Sequence, residues 1–355
     1  MRLYIRADSS LRIGTGHIVR CMTVATALRG HGFEAVFICR TLPGDISSLV
    51  EQRGFDVRRL PPPVAGDAPG SDDASLTRSA IGGEVGWLIV DHYALDARWE
   101  RAVRPCVEGI VAIDDLADRP HACDALLDQG LHADAATRYG SLVEPATRLW
   151  LGPAYALLRD EFVNVEHHMR ARDGRVRRLL ISLGGSDPRG FTSMALEAVR
   201  AVDGFEVPVD VVVPASNPHR ARIAALAADA PNVTVHGYVE RISDLMRAAD
   251  LAIGAGGTTT WERCAVGLPT ILLVLAENQA SVAGSVEEAG AAWNLGDAGA
   301  LKREQLGAAL ARALRSPEEL RRMSAAALAL MRGAGTQWLA SMLELVGGTA
   351  ARDSA

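Results

Sequence analysis

Three glycine-rich turns carry the polar residues best suited to chemistry. The first, Gly14-Thr15-Gly16, leads straight into His17 and Arg20. The second is Gly184-Gly185-Ser186. The third is Gly254-Ala255-Gly256-Gly257, followed by Thr258, Thr259, Thr260 and Glu262, with Asn278 and Gln279 just after the next apolar run. Glycine lets backbone approach a phosphate closely, and a helix start offers unpaired N–H groups and a positive dipole end. A threonine there adds a hydroxyl. A carboxylate within the first helical turn can accept hydrogen bonds from two ribose hydroxyls. Each feature also has a plainer reading. The glycines can serve turns that need positive φ, Glu262 can complement the helix dipole, and Asn278 and Gln279 can cap the next helix. Three such turns in one chain favour a bound ligand.

His17 stands where a helix begins. An imidazole titrates near neutrality and can take a proton from a hydroxyl or water. It can also cap the helix or hydrogen-bond a sugar. Asp8, Asp91, Asp114 and Asp115 end apolar runs and are the carboxylates able to orient His17 or bind polar substrate groups. Their alternative role is to shape turns at strand ends.

Several chemistries are excluded. Read as G-x-G-x-x-G, the first turn has Val19 in its sixth position, and the second strand ends in Arg40 instead of an acid, which disfavours NAD. Lys302 is the only lysine, so there is no P-loop. Pro188 interrupts a G-x-S-x-G elbow after Gly184. No D-x-D sequence occurs, and the adjacent His167 and His168 diverge on a helix, so neither a metal nor another cofactor is expected. Net charge is −6, which argues against general nucleic-acid binding. No charge-free apolar run reaches about 18 residues, so no membrane span is expected. Cys21, Cys39, Cys106, Cys123 and Cys264 show no C-x-x-C, as expected of buried thiols in a reduced, cytoplasmic protein. Oligomeric state is not legible.

Apolar strand-like runs alternate with helical stretches, which predicts α/β architecture with parallel sheets. RLYIRA, EAVFICR, DVRRL, WLIVDHY, GIVAIDDL and ALLDQG make a first series of strands. RRLLISLGG, PVDVVVP, NVTVHGY, DLAIGAGG and PTILLVL make a second, and the stretch after Ala300 is mostly helical. With 355 residues there is room for two cores. The expected division is a Rossmann-like domain over 1–158, a linker over 159–175, a second Rossmann-like domain over 176–330, and a helix over 331–348 that returns to the first domain. Ligands of open α/β sheets lie outside the carboxyl ends of the strands, where all three turns fall.

These residues resemble the GT-B nucleotide-sugar enzymes of the MurG type. The matching residues are Gly14, Gly16 and His17, then Gly256, Gly257, Glu262 and Gly267-Leu268-Pro269. A more detailed resemblance, carried by RADSSLRIGTGHIVRC, LIVDHYALDARWE, IDDLADRPHACDALLDQ, LLISLGGSDPRG and LAENQ, is to the PseG-type hydrolases of pseudaminic-acid biosynthesis. It implies two Rossmann-type domains facing each other across a cleft, and hydrolysis of a UDP-linked 2,4-diacetamido-2,4,6-trideoxy sugar of altrose configuration. It also implies His17 as proton acceptor, uracil against Tyr238 and Val239, and ribose on Glu262. Substrate contacts are further expected from Gly14, Gly16, Arg20, Asp91, Asp114, Gly184, Gly185, Ser186, Gly256, Gly257, Thr258, Thr259, Asn278 and Gln279. The competing readings are a UDP-sugar glycosyltransferase acting on an acceptor, and a nucleotide-sugar binding protein without turnover.

Overall fold

The computed structural model describes residues 1–63, 72–163, 170–184, 187–214, 217–237 and 239–350. They form two compact units, one of Met1–Asp160 with Gly335–Ala355, the other of Glu161–Ala334.

In the first unit the order is β1 (Arg2–Ala7), α1 (Gly16–Arg29), β2 (Glu34–Arg40), α2 (Ser47–Gln52), β3 (Asp56–Leu60), α3 (Asp73–Ile81), β4 (Trp87–Asp91), α4 (Ala97–Val103), β5 (Gly109–Ile113), β6 (Ala125–Asp128), α5 (Ala135–Arg138) and β7 (Arg148–Leu151). The strands pair in parallel in the order β3-β2-β1-β4-β5-β6-β7. Both faces are covered, so the strands read as continuous apolar runs. Leu3, Ile5 and Phe37 face one core with Ile18, Cys21 and Leu28 of α1. Tyr4, Val36, Leu88 and Val90 face the other with Trp99 of α4.

The second unit runs β8 (Leu179–Ser182), α6 (Phe191–Arg200), β9 (Val209–Val212), α7 (Arg220–Ala228), β10 (Val233–His236), α8 (Ile242–Ala248), β11 (Leu251–Ala255), α9 (Thr259–Ala265), β12 (Thr270–Val274), α10 (Ala280–Glu288), β13 (Trp293–Asp297), α11 (Arg303–Arg315) and α12 (Pro317–Leu330). Its parallel order is β10-β9-β8-β11-β12-β13. Leu179, Ile181, Val211, Ile253 and Ile271 pack against Leu196 of α6 and Leu306 and Leu310 of α11.

The chain then leaves this unit. α13 (Gln337–Ala350) lays Trp338, Met342, Leu345 and Val346 into the core that holds Leu3 and Phe37. In both sheets the order reverses beside the first strand of its series, between β1 and β4 and between β8 and β11. Those are the switch points at which open sheets leave a crevice, and all three glycine-rich turns begin there. Four of the five cysteines are buried and Cys106 is half-buried. Among the described residues no helix is long and apolar enough to cross a membrane.

The separate cores make a testable division. Trp338→Ala, at a site 3% exposed, is expected to cost ~3–5 kcal/mol as a cavity in the first unit. Hydrogen exchange should rise in β1, β2 and α1 while β8, β11 and β12 keep their protection. An equal rise in both units would contradict it.

Candidate functional site

The loop between β1 and α1 is a small closed hairpin. Ser10 and Gly14 exchange backbone hydrogen bonds of 3.3 and 2.8 Å, and Ser10 Oγ accepts from the N–H groups of Arg12 and Ile13. Gly14 closes the loop at φ +81°, a conformation that favours glycine. The loop delivers His17 into the first turn of α1 with its ring turned inward, 6% exposed.

There the ring meets Asp91, the fully buried last residue of β4. His17 Nδ1 lies 2.5 Å from Asp91 Oδ1. Arg20, one turn further along α1, donates to the same carboxylate through Nε at 2.5 Å and Nη2 at 2.6 Å, and through Nη1 to Asp115 at 3.0 Å. The Tyr93 ring meets His17 edge-on at 4.6 Å.

This geometry selects a tautomer. Arg20 Nη2 also lies 3.2 Å from His17 Nδ1 and would donate to a lone pair there. The 2.5 Å approach to a carboxylate requires a proton between the two atoms, so Nδ1 carries it and donates to Asp91. In the neutral ring Nε2 then keeps its lone pair, and that atom has no hydrogen-bond partner among the described residues. Burial pushes the Asp91 carboxyl up, but the Arg20 guanidinium and His17 outweigh it and hold Asp91 well below the usual carboxylate range. Burial likewise pulls Arg20 down, and Asp91 more than restores it.

The other strand-end carboxylates serve the protein itself. Asp8 is held by both Nη atoms of Arg6, the Arg40 N–H and His92. The strand read as ending in Asp114 and Asp115 stops at Ile113, because Asp114 turns to accept from the Ala117 N–H at 2.8 Å and from Tyr139 Oη at 3.1 Å. Arg119 pairs with it at 2.8 Å. Of the residues read as substrate contacts in this unit, Arg20, Asp91 and Asp114 are therefore committed to internal carboxylate networks. Arg20 acts on His17 through Asp91.

In the second unit Gly184 follows β8 at φ +94° and is exposed. Gly185 and Ser186 lie outside the described residues, as do His167, His168 and Tyr238. Asp187 accepts from the N–H groups of Phe191 and Thr192, both at 2.8 Å, and so starts α6. The Ser-Asp-Pro stretch carried that capping signal unread. Val239 is half-buried beyond β10.

The turn after β11 is built by close approach. Gly254, Gly256 and Gly257 all have ordinary φ. A Cβ on Gly254 would stand 2.6 Å from the Arg263 guanidinium, and one on Gly256 would stand 3.1 Å from the Gln279 carbonyl oxygen. A Cβ on Gly257 would lie 3.7 Å from Gln279 Nε2. The Gln279 side-chain oxygen accepts the Leu275 N–H at 3.0 Å, and Asn278 is exposed. Thr258 occupies the N-cap of α9 without a side-chain capping bond. Thr260 Oγ1 donates to the Ala255 carbonyl at 3.2 Å. Glu262 is 7% exposed.

Arg263 escaped the sequence reading because Trp-Glu-Arg-Cys looks like an ordinary charged helix face. It is 1% exposed. It donates to the Ala255 carbonyl at 2.6 Å and to the hydroxyls of Thr259 and Thr260 at 3.0 and 3.1 Å. Among the described residues no group of three His, Cys, Asp or Glu side chains is arranged to hold a metal ion.

Asp91→Asn leaves a buried guanidinium short of charge and is expected to cost ~3–5 kcal/mol at neutral pH. Asp91 is depressed in the folded state, so its contribution is complete above about pH 4, the unfolded value, and is lost as pH falls toward the folded pKa. The difference in Tm between wild type and Asp91→Asn should therefore shrink on acidification below about pH 4. A constant difference from neutral pH into the acid range would contradict the ion pair.

Residues 208–336 match the family model of the glycosyltransferase family 28 C-terminal domain. The chain is 22% identical over 285 residues to an uncharacterised protein of Methanocaldococcus jannaschii, covering 79% of this chain and 57% of that one. It is 30% identical over 175 residues to the spore coat polysaccharide biosynthesis protein SpsG of Bacillus subtilis, covering 49% and 50%. It thus spans about half the length of these two relatives. A UDP-2,4-diacetamido-2,4,6-trideoxy-beta-L-altropyranose hydrolase of Campylobacter jejuni is 26% identical over 257 residues, covering 71% of this chain and 84% of that one. Among solved structures, MurG of Acinetobacter baumannii superposes with a TM-score of 0.63 at 16% identity over 97% of this chain and 99% of that one. A glycosyltransferase of Rickettsia africae gives 0.62 at 11% over 98% of each. The chain is a GT-B-fold protein related in sequence to these archaeal, Bacillus and Campylobacter proteins.

Proposed function

We propose that the chain is a GT-B enzyme that breaks the anomeric C–O bond of a UDP-linked sugar, with His17 as proton acceptor. The observation that carries this reading is the buried His17–Asp91 pair, which leaves the Nε2 lone pair of the neutral ring without a partner among the described residues. An oxygen nucleophile bonds to the anomeric carbon, and its proton passes to Nε2. The bond from that carbon to the diphosphate oxygen breaks, and its electron pair leaves with UDP. Asp91 stays ionised and stabilises the imidazolium that results. A Cβ on Gly14 or Gly16 would meet no atom within 4 Å among the described residues beyond its own chain neighbours, so these positions leave open space beside the loop. In this reading the second unit holds the nucleotide. Gly184, Gly185, Ser186, Gly256, Gly257, Thr258 and Thr259 serve the diphosphate, and Glu262 the ribose. Tyr238 and Val239 serve the base, and Asn278 and Gln279 the sugar.

The nucleophile separates two readings. Transfer to an acceptor hydroxyl is supported by the names of the glycosyltransferases that share the fold, and by the family 28 match. Hydrolysis, with water as nucleophile and the diacetamido-altrose nucleotide as substrate, is supported by the match over 84% of the Campylobacter hydrolase. Incubation with UDP-sugars, including that one, with and without hydroxyl acceptors, distinguishes them. Free sugar and UDP without acceptor mean hydrolysis. UDP released only with acceptor means transfer. No UDP in either case contradicts the proposal.

His17→Asn is expected to lower kcat by ~10²–10⁴ with UDP affinity unchanged. A near-native kcat would remove His17 as base. Glu262→Ala should weaken UDP binding by ~1–3 kcal/mol, and calorimetry showing native affinity in a folded variant would take Glu262 out of the nucleotide site.

A further inference from the structure

Two arginines of the second unit are buried without a carboxylate within ion-pair distance among the described residues, and they differ in what replaces it. Arg172, 8% exposed, donates to the carbonyls of Met246, Ala249, Val266 and Gly267. These lie at the carboxyl ends of α8 and α9, where the helix dipole is negative. Its charge is offset by the fold. Arg263 stands in the last turn of α9. Its side chain runs back toward the helix start, as helical side chains do, and reaches Thr259, the first residue of the helix. The dipole there is positive and adds to the guanidinium charge. Its acceptors are one carbonyl and two hydroxyls, and Nε has no partner among the described residues.

A fully buried cation of this kind is costly unless something compensates it. Burial pulls its pKa down to about 10, which still leaves it charged at neutral pH. Gly254 makes the room, since a Cβ there would press on the guanidinium at 2.6 Å. The hydrogen bonds also set the direction of a donor. A hydroxyl has one hydrogen and two lone pairs. Thr260 gives its hydrogen to Ala255. Thr259 Oγ1 receives Arg263 Nη1 into a lone pair, and its own hydrogen has no acceptor among the described residues.

We infer that Arg263 is a positioning residue for a phosphate-bearing ligand at the Gly254–Gly257 turn, holding Thr259 as a donor and supplying buried positive charge that the ligand's phosphates neutralise. This rests on the nucleotide reading of that turn.

The test compares UDP with uridine, which lacks the phosphates, by calorimetry on the full-length protein. Arg263→Met should weaken UDP about tenfold or more, through the loss of a buried positive charge and of a positioned hydroxyl donor, and leave uridine within about twofold. Arg263→Lys should recover part of the UDP affinity. Gly254→Ala keeps the cation but displaces it, and should also weaken UDP more than uridine. Should Arg263→Met fail to fold by circular dichroism, the lysine and Gly254 variants decide. Wild-type protein that binds neither ligand would overturn the nucleotide reading itself. Wild-type protein that binds UDP, with variants whose UDP-to-uridine affinity ratio is unchanged, would overturn the role of Arg263 alone.

Discussion

A carboxylate with no exposed surface keeps its charge only if cations and hydrogen-bond donors replace the water it has lost. Asp91 meets that condition through Arg20 and His17, and the organisation of the first unit follows from it. The β1–β4 pairing sets Ala7 beside Asp91, so α1, which begins just past β1, must bring its first turn over the end of β4. Arg20 and His17 lie three residues apart on one face of α1 and reach the same carboxylate. Removing either would leave Asp91 short of a partner, so the pair that orients the imidazole also holds the helix to the sheet.

The second unit solves a different problem with the same chemistry. Its buried cation sits under the turn after β11 with carbonyl and hydroxyl partners instead of carboxylates. At its switch point the first unit thus pairs its buried carboxylate internally, through Arg20 and His17. The second keeps excess positive charge at its own. One arrangement suits handling a proton, the other suits holding an anion. In the proposed reading, that difference is why a histidine stands after Gly16, where a dinucleotide site would continue with glycine-rich backbone.

The long central strands were legible because burial on both faces writes them as uninterrupted apolar runs, as in RLYIRA and WLIVDHY. Two of the four edge strands were not. RLWL of β7 and WNLGD of β13 are short, half-exposed and partly polar, and only pairing with β6 and β12 makes them strands. α3 follows a Pro-, Gly- and Asp-rich stretch that reads as loop, yet Asp73 at its start is buried on Arg6, Arg40 and Trp99. His17 stood out by its glycine flank. Which of four carboxylates served it could not be read, because strand order decides that and a linear sequence does not carry it. Arg263 was invisible for a related reason. Nothing local distinguishes an arginine turned beneath a glycine turn from one turned to water.

The most direct measurement of the central claim is the protonation pattern of the His17 ring. In protein labelled with ¹⁵N at histidine, two-bond ¹H–¹⁵N correlation spectra separate the two neutral tautomers, and His17→Asn assigns the signal. The Asp91 geometry predicts that the neutral ring of His17 carries its hydrogen on Nδ1 and a bare lone pair on Nε2. A neutral ring protonated on Nε2 would contradict it, since that atom would then have no lone pair with which to accept a proton.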